Sequence, residues 1–339
     1  MVTNNFDWLA TNQEPAFDPD QKIIDPHHHL WDGREDGRPL RYFLDQLLED
    51  TADLNVRQTV FIECGAMYNA DATEAMAPVG ETEYVAGVSA QSASGIYGEM
   101  RACAGIVSHA DLLLGAAVGE VLDAHMEMSS RFRGIRHHAS WDPSPDVPNS
   151  RIVDQPHIYL NDAYREGFAE LGKRNLSFEG WLYHPQIPEL TDLARTFPDT
   201  TIILNHLGGP LGIGPYAGRH DEVFAEWRET ISELATCENV VAKVGGIQMV
   251  INGFGWHEQE RAPSSDELLQ ANRRWYEHTI QAFGPDRCMF ESNFPVDKAS
   301  CSYTNMYNQF FKLVADYPQD EKDQMFHDTA QRVYRLDSV

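Results

Sequence analysis

From Lys22 onward, short apolar runs alternate with longer stretches in which apolar residues recur every three or four positions. Eight runs read as strands: Lys22–Asp25, Gln58–Cys64, Ala102–Val107, Phe132–His137, Ser177–Tyr183, Thr201–Asn205, Val240–Val244 and Cys288–Ser292. Most are dominated by Val, Ile, Phe or Leu, as strands covered on both faces are. Helical stripes fall between them. Val118, Val121 and Leu122 share one face, as do Leu190, Leu193, Ala194 and Phe197, and again Phe310, Leu313, Val314 and Tyr317. Ser264 with Glu267 has the spacing of a capping box, opening a helix through Leu268 and Trp275. The alternation predicts a single-domain α/β fold, a (β/α)8 TIM barrel over residues 22–339 behind an N-terminal extension, residues 1–21. An open doubly wound sheet is the alternative. No G-x-G-x-x-G or P-loop follows any of these strands, which weakens that alternative as a nucleotide binder.

In such a barrel the C-terminal strand ends build the site. Read in order, those ends carry His27 and His29, then Glu63 and Cys64, then His109 and Asp111. Arg136, His137 and His138 follow, then Tyr183 and His184, Asn205 and His206, Lys243, and finally Glu291, Ser292 and Asn293. A single histidine at a strand end is more often structural; histidines at strands one, four, five and six together favour a site. His27 and His29, two positions apart on an extended segment, project to one side. With His184 they offer three neutral nitrogens to a metal, which would polarise a carbonyl or acidify water. His206 suits acid–base work, since imidazole titrates near neutrality. Arg136 can fork onto a substrate carboxylate or form a salt bridge inside the wall. His137, Tyr183 and Lys243 line the same end as candidate substrate contacts. Gly208-Gly209 and Gly245-Gly246 lie just past strand ends, where tight turns are needed. Asn252–Asp266 reads as a long loop bringing Trp256 and His257 over a ligand.

Composition narrows the partners. Lys and Arg total 26 against 52 Asp and Glu, a net charge of −26 that disfavours nucleic acid and anionic membrane surfaces. A small-molecule substrate is the expected partner, and an anionic one would need a locally positive pocket. Five scattered cysteines without a C-x-x-C pair suit a reducing compartment. Met1–Asp20 lacks an apolar signal core, and no apolar run is long enough to span a bilayer. A cytoplasmic location is therefore expected, with a homodimer as the default assembly.

Several segments resemble the amidohydrolase superfamily, in particular the amidohydrolase-related branch containing pyrone-dicarboxylate lactonase and sugar lactonases. They are Ile24-Asp25-Pro26-His27-His28-His29-Leu30-Trp31-Asp32, Phe132-Arg133-Gly134-Ile135-Arg136-His137 and Leu204-Asn205-His206-Leu207-Gly208-Gly209-Pro210. Val241-Ala242-Lys243-Val244-Gly245-Gly246, Arg287 to Val296 and Asp328 to Tyr334 complete the set. The resemblance implies a distorted TIM barrel. It places a divalent metal, zinc or manganese, on His27, His29 and His184, with catalysis on His206; some lactonase relatives use the same histidines without a metal. One departure concerns strand eight, where the usual Ser-Asp-Trp-Pro reads Ser292-Asn293-Phe294-Pro295. An amide accepts no proton, but its oxygen can still bind a metal or a hydroxyl, so Asn293 joins His206 and Arg136 in the expected catalytic set, and the base falls to Glu291, Asp297, His206 or His184. The leading function is hydrolysis of a lactone or related carboxylate-bearing substrate. A metal-dependent non-oxidative decarboxylase or hydratase is the alternative, and an inactive small-molecule-binding barrel the third reading.

Overall fold

The computed structural model describes residues 6–33, 41–149 and 155–338; residues 1–5 of the extension lie outside these. The eight strands form one sheet in chain order: β1 (Ile23–His28), β2 (Val56–Ile62), β3 (Arg101–Ser108), β4 (Phe132–Arg136), β5 (Ser177–Gly180), β6 (Ile202–Leu204), β7 (Val240–Gly245) and β8 (Cys288–Glu291). Every ladder in it is parallel. A helix follows each strand: α1 (Leu44–Thr51), α2 (Val79–Ala93), α3 (Val118–Met128), α4 (Asp162–Lys173), α5 (Ile187–Thr196), α6 (His220–Leu234), α7 (Ser265–Phe283) and α8 (Tyr303–Leu313). This is the (β/α)8 barrel that the alternation of apolar runs predicts. The ring is closed by residues just past β8 rather than by β8 itself. His28 bridges Phe294, His29 N donates to Phe294 O at 2.8 Å, and Asn293 N donates to His27 O at 2.9 Å.

Strand alternation sorts the side chains. Ile23, Ile135, Phe178, Ile202, Leu204, Val240, Ala242, Val244, Cys288 and Phe290 point outward and pack beneath the helices. Ile24, Val60, Ala104, Ile203, Val241 and Met289 point inward and meet Ala330, Val333, Tyr334 and Leu336 of the C-terminal tail, which plugs the lower end. Above this apolar floor the inward positions turn polar, with Arg136, Glu179, Lys243 and Glu291 all buried. The sequence therefore stacks a dry layer under a charged one inside a single cylinder.

Two strand boundaries differ from the sequence reading, with consequences for the site. β1 runs on past Asp25 and Pro26 to His28, with a register shift between Asp25 and His28. β5 stops at Gly180, so Trp181–Tyr183 is irregular and the alternation no longer fixes where His184 points. The capping box forms: Ser264 N donates to Glu267 Oε2 at 2.8 Å and Glu267 N to Ser264 Oγ at 3.2 Å. The N-terminal segment braces the loop ahead of α7, with Trp8 Nε1 donating to Gln259 O at 2.9 Å and Ser265 N to Glu14 Oε1 at 2.8 Å. All five cysteines are buried. Among the described residues no helix is long and apolar enough to cross a membrane.

Candidate active site

His27 and His29 leave β1 on the side facing the barrel interior, with ring centroids 5.0 Å apart. His28 between them turns outward, its Nε2 2.8 Å from Thr59 Oγ1. His206, directly after β6, brings its ring to 4.4 Å from His27. Its backbone φ is +52°, a left-handed conformation that a non-glycine residue holds at a cost of about 1–3 kcal/mol when its surroundings enforce it. The enforcing group is Glu291, at the end of β8. Its Oε1 lies 2.7 Å from His206 Nδ1 and 3.1 Å from His206 N.

The Gly245-Gly246 pair makes room for this contact. A Cβ on Gly246 would sit 1.9 Å from His206 Nδ1, and one on Gly245 would sit 2.8 Å from Glu291 Cγ. The glycines expected to serve a tight turn thus also clear space for the imidazole–carboxylate pair. A carboxylate only accepts, so Nδ1 carries the proton and Nε2 is left as the basic nitrogen. Burial, with Arg136 and Lys243 nearby, holds His206 well below the usual imidazole range, so it is unprotonated at neutral pH. Burial also raises Glu291 to about 7, against the opposing pull of Lys243 and Arg136. Trp181, partly exposed at the rim, packs its ring edge-on 4.8 Å from His206.

Positive charge surrounds His27. Arg136 Nη1 lies 3.3 Å from Nε2, and Lys243 Nζ lies 3.2 Å from Nδ1, an atom that also sits 2.8 Å from Glu291 Oε2. One nitrogen cannot both accept from an ammonium and donate to a carboxylate. Arginine is always a donor, so Nε2 accepts and the proton sits on Nδ1 facing Glu291. That contact is off the hydrogen-bond direction, which leaves Glu291 Oε2 without a well-aligned partner. Lys243 acts there as a nearby charge, its own hydrogen bond running to Glu179 Oε2 at 2.8 Å.

Arg136 is not the substrate clamp that its residue type allows. Its Nε donates to Glu63 Oε1 at 2.8 Å and its Nη2 to Glu63 O at 2.6 Å, while Nη1 is shared between His27 and Asn205 Oδ1. The wall salt bridge is the arrangement observed. Glu63 also takes His138 Nε2 at 2.5 Å. Burial would raise the Glu63 carboxyl, but His138 and Arg136 more than offset it and hold it well below its ordinary value.

Asn293 also adopts a left-handed backbone, φ +54°, a conformation asparagine tolerates better than most residues. Its Nδ2 donates to Asp297 Oδ1 at 2.9 Å, which aims Oδ1 toward His29 Nε2, 3.4 Å away. His29 Nδ1 meets Ile62 O at 2.8 Å and so carries the proton, leaving Nε2 as an acceptor.

Five expected contacts lie elsewhere. His184 does not join His27 and His29: its Nδ1 accepts from Leu211 N at 3.3 Å, its ring packs edge-on against Tyr216, and its Nε2 is buried without a partner. His137 points outward into the helix layer, its ring 5.1 Å from Tyr164, because Arg136 and His138 take the inward positions on either side. The Tyr183 hydroxyl is held by Pro148 O. Trp256 Nε1 donates to Gln248 Oε1 at 2.9 Å, behind the Asn293–Asp297 pair, because Gln248 N donates to Asp297 Oδ2. His257 stays on the loop, 3.9 Å from Glu258 Oε1. The partners missing from the sequence reading are Glu179, which pairs with Arg136 in the ladder, and Trp181, two residues before Tyr183.

For a divalent cation, the donor atoms of His27, His206 and Glu291 lie within 4.8 Å of one another, close enough to share one ion. This is a different set from His27, His29 and His184. Arg136 and Lys243 are the nearby cations, and each is paired with a carboxylate, Glu63 and Glu179, so Glu291 remains as the charged donor to an ion. His27, His206 and Glu291 are the residues that would hold a divalent ion here. The cluster is nearly closed to solvent, with His206 2% and Arg136 4% exposed, and its neighbours His138 and Trp181 are partly exposed. A recess of about 480 Å³ lined by Asp18, Asp20, Asp323 and Asp328 lies at another part of the surface and shares no residue with it.

The sequence profile described as Amidohydrolase matches residues 24–336. An uncharacterized protein, y4mH, of Sinorhizobium fredii is 32% identical over 335 residues, covering 94% of this chain and 99% of its own length. The L-rhamnono-gamma-lactonase of Scheffersomyces stipitis is 24% identical over 356 residues, covering 93% of this chain and 99% of its own. Among solved structures, an amidohydrolase from Burkholderia multivorans with bound zinc superposes with a TM-score of 0.71 at 21% identity, covering 93% of this chain and 99% of its own.

Proposed function

The chain belongs to the amidohydrolase family, and we propose that it hydrolyses a neutral lactone with His206 as the base and Glu291 as the group that orients it. The observation that carries this reading is the 2.7 Å contact between His206 Nδ1 and Glu291 Oε1, which leaves Nε2 basic toward a bound water. Water attacks the ring carbonyl as His206 takes its proton; the new C–OH bond forms and the ring C–O bond breaks. The imidazolium then returns the proton to the departing ring oxygen, and the product is an open-chain hydroxy acid. Asn293 Oδ1 accepts a hydrogen bond from the water or a substrate hydroxyl. The positive potential of Arg136 and Lys243 stabilises the developing oxyanion. The lactonase name of the yeast relative supports the same chemistry.

An uncharged substrate is the class we propose, because among the described residues no cation in the cluster is open to a carboxylate. Arg136 is held by Glu63 and Lys243 by Glu179. Polyhydroxy lactones, whose hydroxyls suit the acceptor Asn293, fit better than carboxylate-bearing ones. The reaction runs without a metal. Zinc bound to the Burkholderia relative makes the opposite arrangement worth testing, and the donors here would then be His27, His206 and Glu291. The experiment is proton release measured across matched panels of neutral sugar lactones and carboxylate-bearing lactones, with carbon dioxide monitored. Acid release from the neutral panel alone is expected; carbon dioxide, or a preference for the carboxylates, would overturn the reading.

A further inference from the structure

Glu179 lies inside the barrel on β5, in register with Arg136 on one side and Ile203 on the other, and is fully buried. Three side chains converge on its carboxylate. Lys243 Nζ donates to Oε2 at 2.8 Å, Asn205 Nδ2 donates to the same oxygen, and Tyr334 OH donates to Oε1 at 2.5 Å. Two of these carry the network upward to the site. Lys243 Nζ lies 3.2 Å from His27 Nδ1, and Asn205 Oδ1 accepts from Arg136 Nη1, which reaches His27 Nε2. The third comes from the opposite end of the cylinder. Tyr334 belongs to the C-terminal tail, whose backbone is anchored by Arg133 Nε to Tyr334 O at 2.6 Å and Gln58 Nε2 to Asp337 O at 2.9 Å.

We infer that Tyr334 is a positioning residue of the active site: its hydroxyl fixes the Glu179 carboxylate and, through it, the Lys243 ammonium against His27. A plug for the barrel floor would need only the ring. The neighbours of Tyr334 are Ile24, Val60, Ile203, Val241 and Met289, a lining that suits phenylalanine equally well. The hydroxyl matters for what it leaves behind. Without it, Glu179 Oε1 becomes a buried anionic acceptor lacking a donor, an arrangement that costs about 1–3 kcal/mol or more. The carboxylate then relaxes by turning both oxygens to Lys243 and Asn205. That turn draws the ammonium down, away from His27. Lys243 Nζ already sits over the Tyr334 ring, 5.6 Å from its centroid.

The inference rests on the lactonase reading for its kinetic readout, so a second readout independent of turnover accompanies it. In Tyr334→Phe, kcat on a neutral lactone is expected to fall about tenfold with KM within about twofold, since small displacements of charged groups at a site cost rates of this order. The crystal structure of the variant should show Lys243 Nζ beyond about 4 Å from His27 Nδ1. A kcat equal to wild type, a loss that only follows reduced melting temperature, or an unmoved Lys243 would overturn the inference. Should the wild type open no lactone, that failure belongs to the functional reading, and the position of Lys243 in the two crystal structures still decides this one. If Tyr334→Phe does not fold, Glu179→Gln replaces it, with the same displacement of Lys243 expected and an unmoved ammonium contradicting the claim.

Discussion

Glu291 Oε1 sits 2.7 Å from His206 Nδ1, joining the end of β8 to the residue after β6 across 85 positions of chain. The contact fixes the tautomer of His206, supports its left-handed backbone, and requires two consecutive glycines to clear its path. Replacing Glu291 by Gln keeps the shape but lets the amide present a donor to Nδ1. The basic nitrogen then faces the wrong way, and kcat should fall about a hundredfold to a thousandfold. Steady-state kinetics on a neutral lactone, with melting temperature as the control for folding, checks this.

Gly246→Ala is expected to damage the site from outside the set of polar residues. Its Cβ would lie 1.9 Å from His206 Nδ1, at a φ of +65° that alanine resists. Displacement of the imidazole and a loss of about 1–3 kcal/mol in stability should follow. Urea unfolding alongside kcat measures both, and a fully active, fully stable variant would contradict the packing described.

The pH dependence separates activity from stability. Burial raises Glu291 to about 7, so the acidic limb of kcat/KM should show an apparent pKa near 7, belonging to the His206–Glu291 pair as a unit. Burial also raises Asp25 to about 6, against hydrogen bonds from Ser292, His27 and Tyr303. An acid whose pKa is raised on folding binds its proton more tightly in the native state. Its contribution is complete below its unfolded pKa and is lost as pH rises through the folded value. The two carboxyls taken alone lose stability between pH 5 and pH 8. The buried imidazoles of His27, His28, His125, His137, His184 and His206, all held below their ordinary value chiefly by burial, work the other way. Each contributes fully above its unfolded pKa and loses that contribution as pH falls. With six imidazoles against two carboxyls, the protein should be less stable at pH 5 than at pH 8. Urea midpoints at both pH values test this, and Asp25→Asn should widen the difference.

Asn293→Asp should not restore a catalytic base. The Asn293 amide donates to Asp297 Oδ1, and a carboxylate there would face a second, fully buried carboxyl. Burial already raises Asp297 well above its ordinary value. The variant is expected to fold, to lose about 1–3 kcal/mol, and to turn over no faster than wild type. Thermal unfolding and kcat decide it; a rate increase would show that the strand-eight acid is missed after all.

The barrel was legible because its strands are buried on both faces, so Val, Ile and Phe runs such as Ile202–Leu204 and Val240–Gly245 stand out from any neighbour. His27 and His29 were legible from the two-residue spacing alone. His137 and His184 were misplaced where alternation had to be counted past a strand's true end: Arg136 points inward, which turns His137 out and His138 in, and β5 stops three residues before Tyr183. Arg136 is held by Glu63, 73 positions away, and no local pattern shows that such a guanidinium is already engaged. Glu179 looked like strand content because its partners come from β6, β7 and the tail. Tyr334 reaches it only once the chain has folded, and a one-dimensional reading has no signal for that arrival.

The central claim, that this chain's own imidazole–carboxylate pair activates water on a lactone without a metal, meets its most direct test in one rate measurement. Chelator-treated wild type and His206→Asn, both with metal content verified by elemental analysis, are assayed for ring opening of a neutral sugar lactone. The account predicts that stripped wild type keeps its rate within about twofold while His206→Asn loses at least about a hundredfold. A stripped wild type that is inactive until zinc or manganese is restored, or a His206→Asn variant that opens the ring at the wild-type rate, would contradict it.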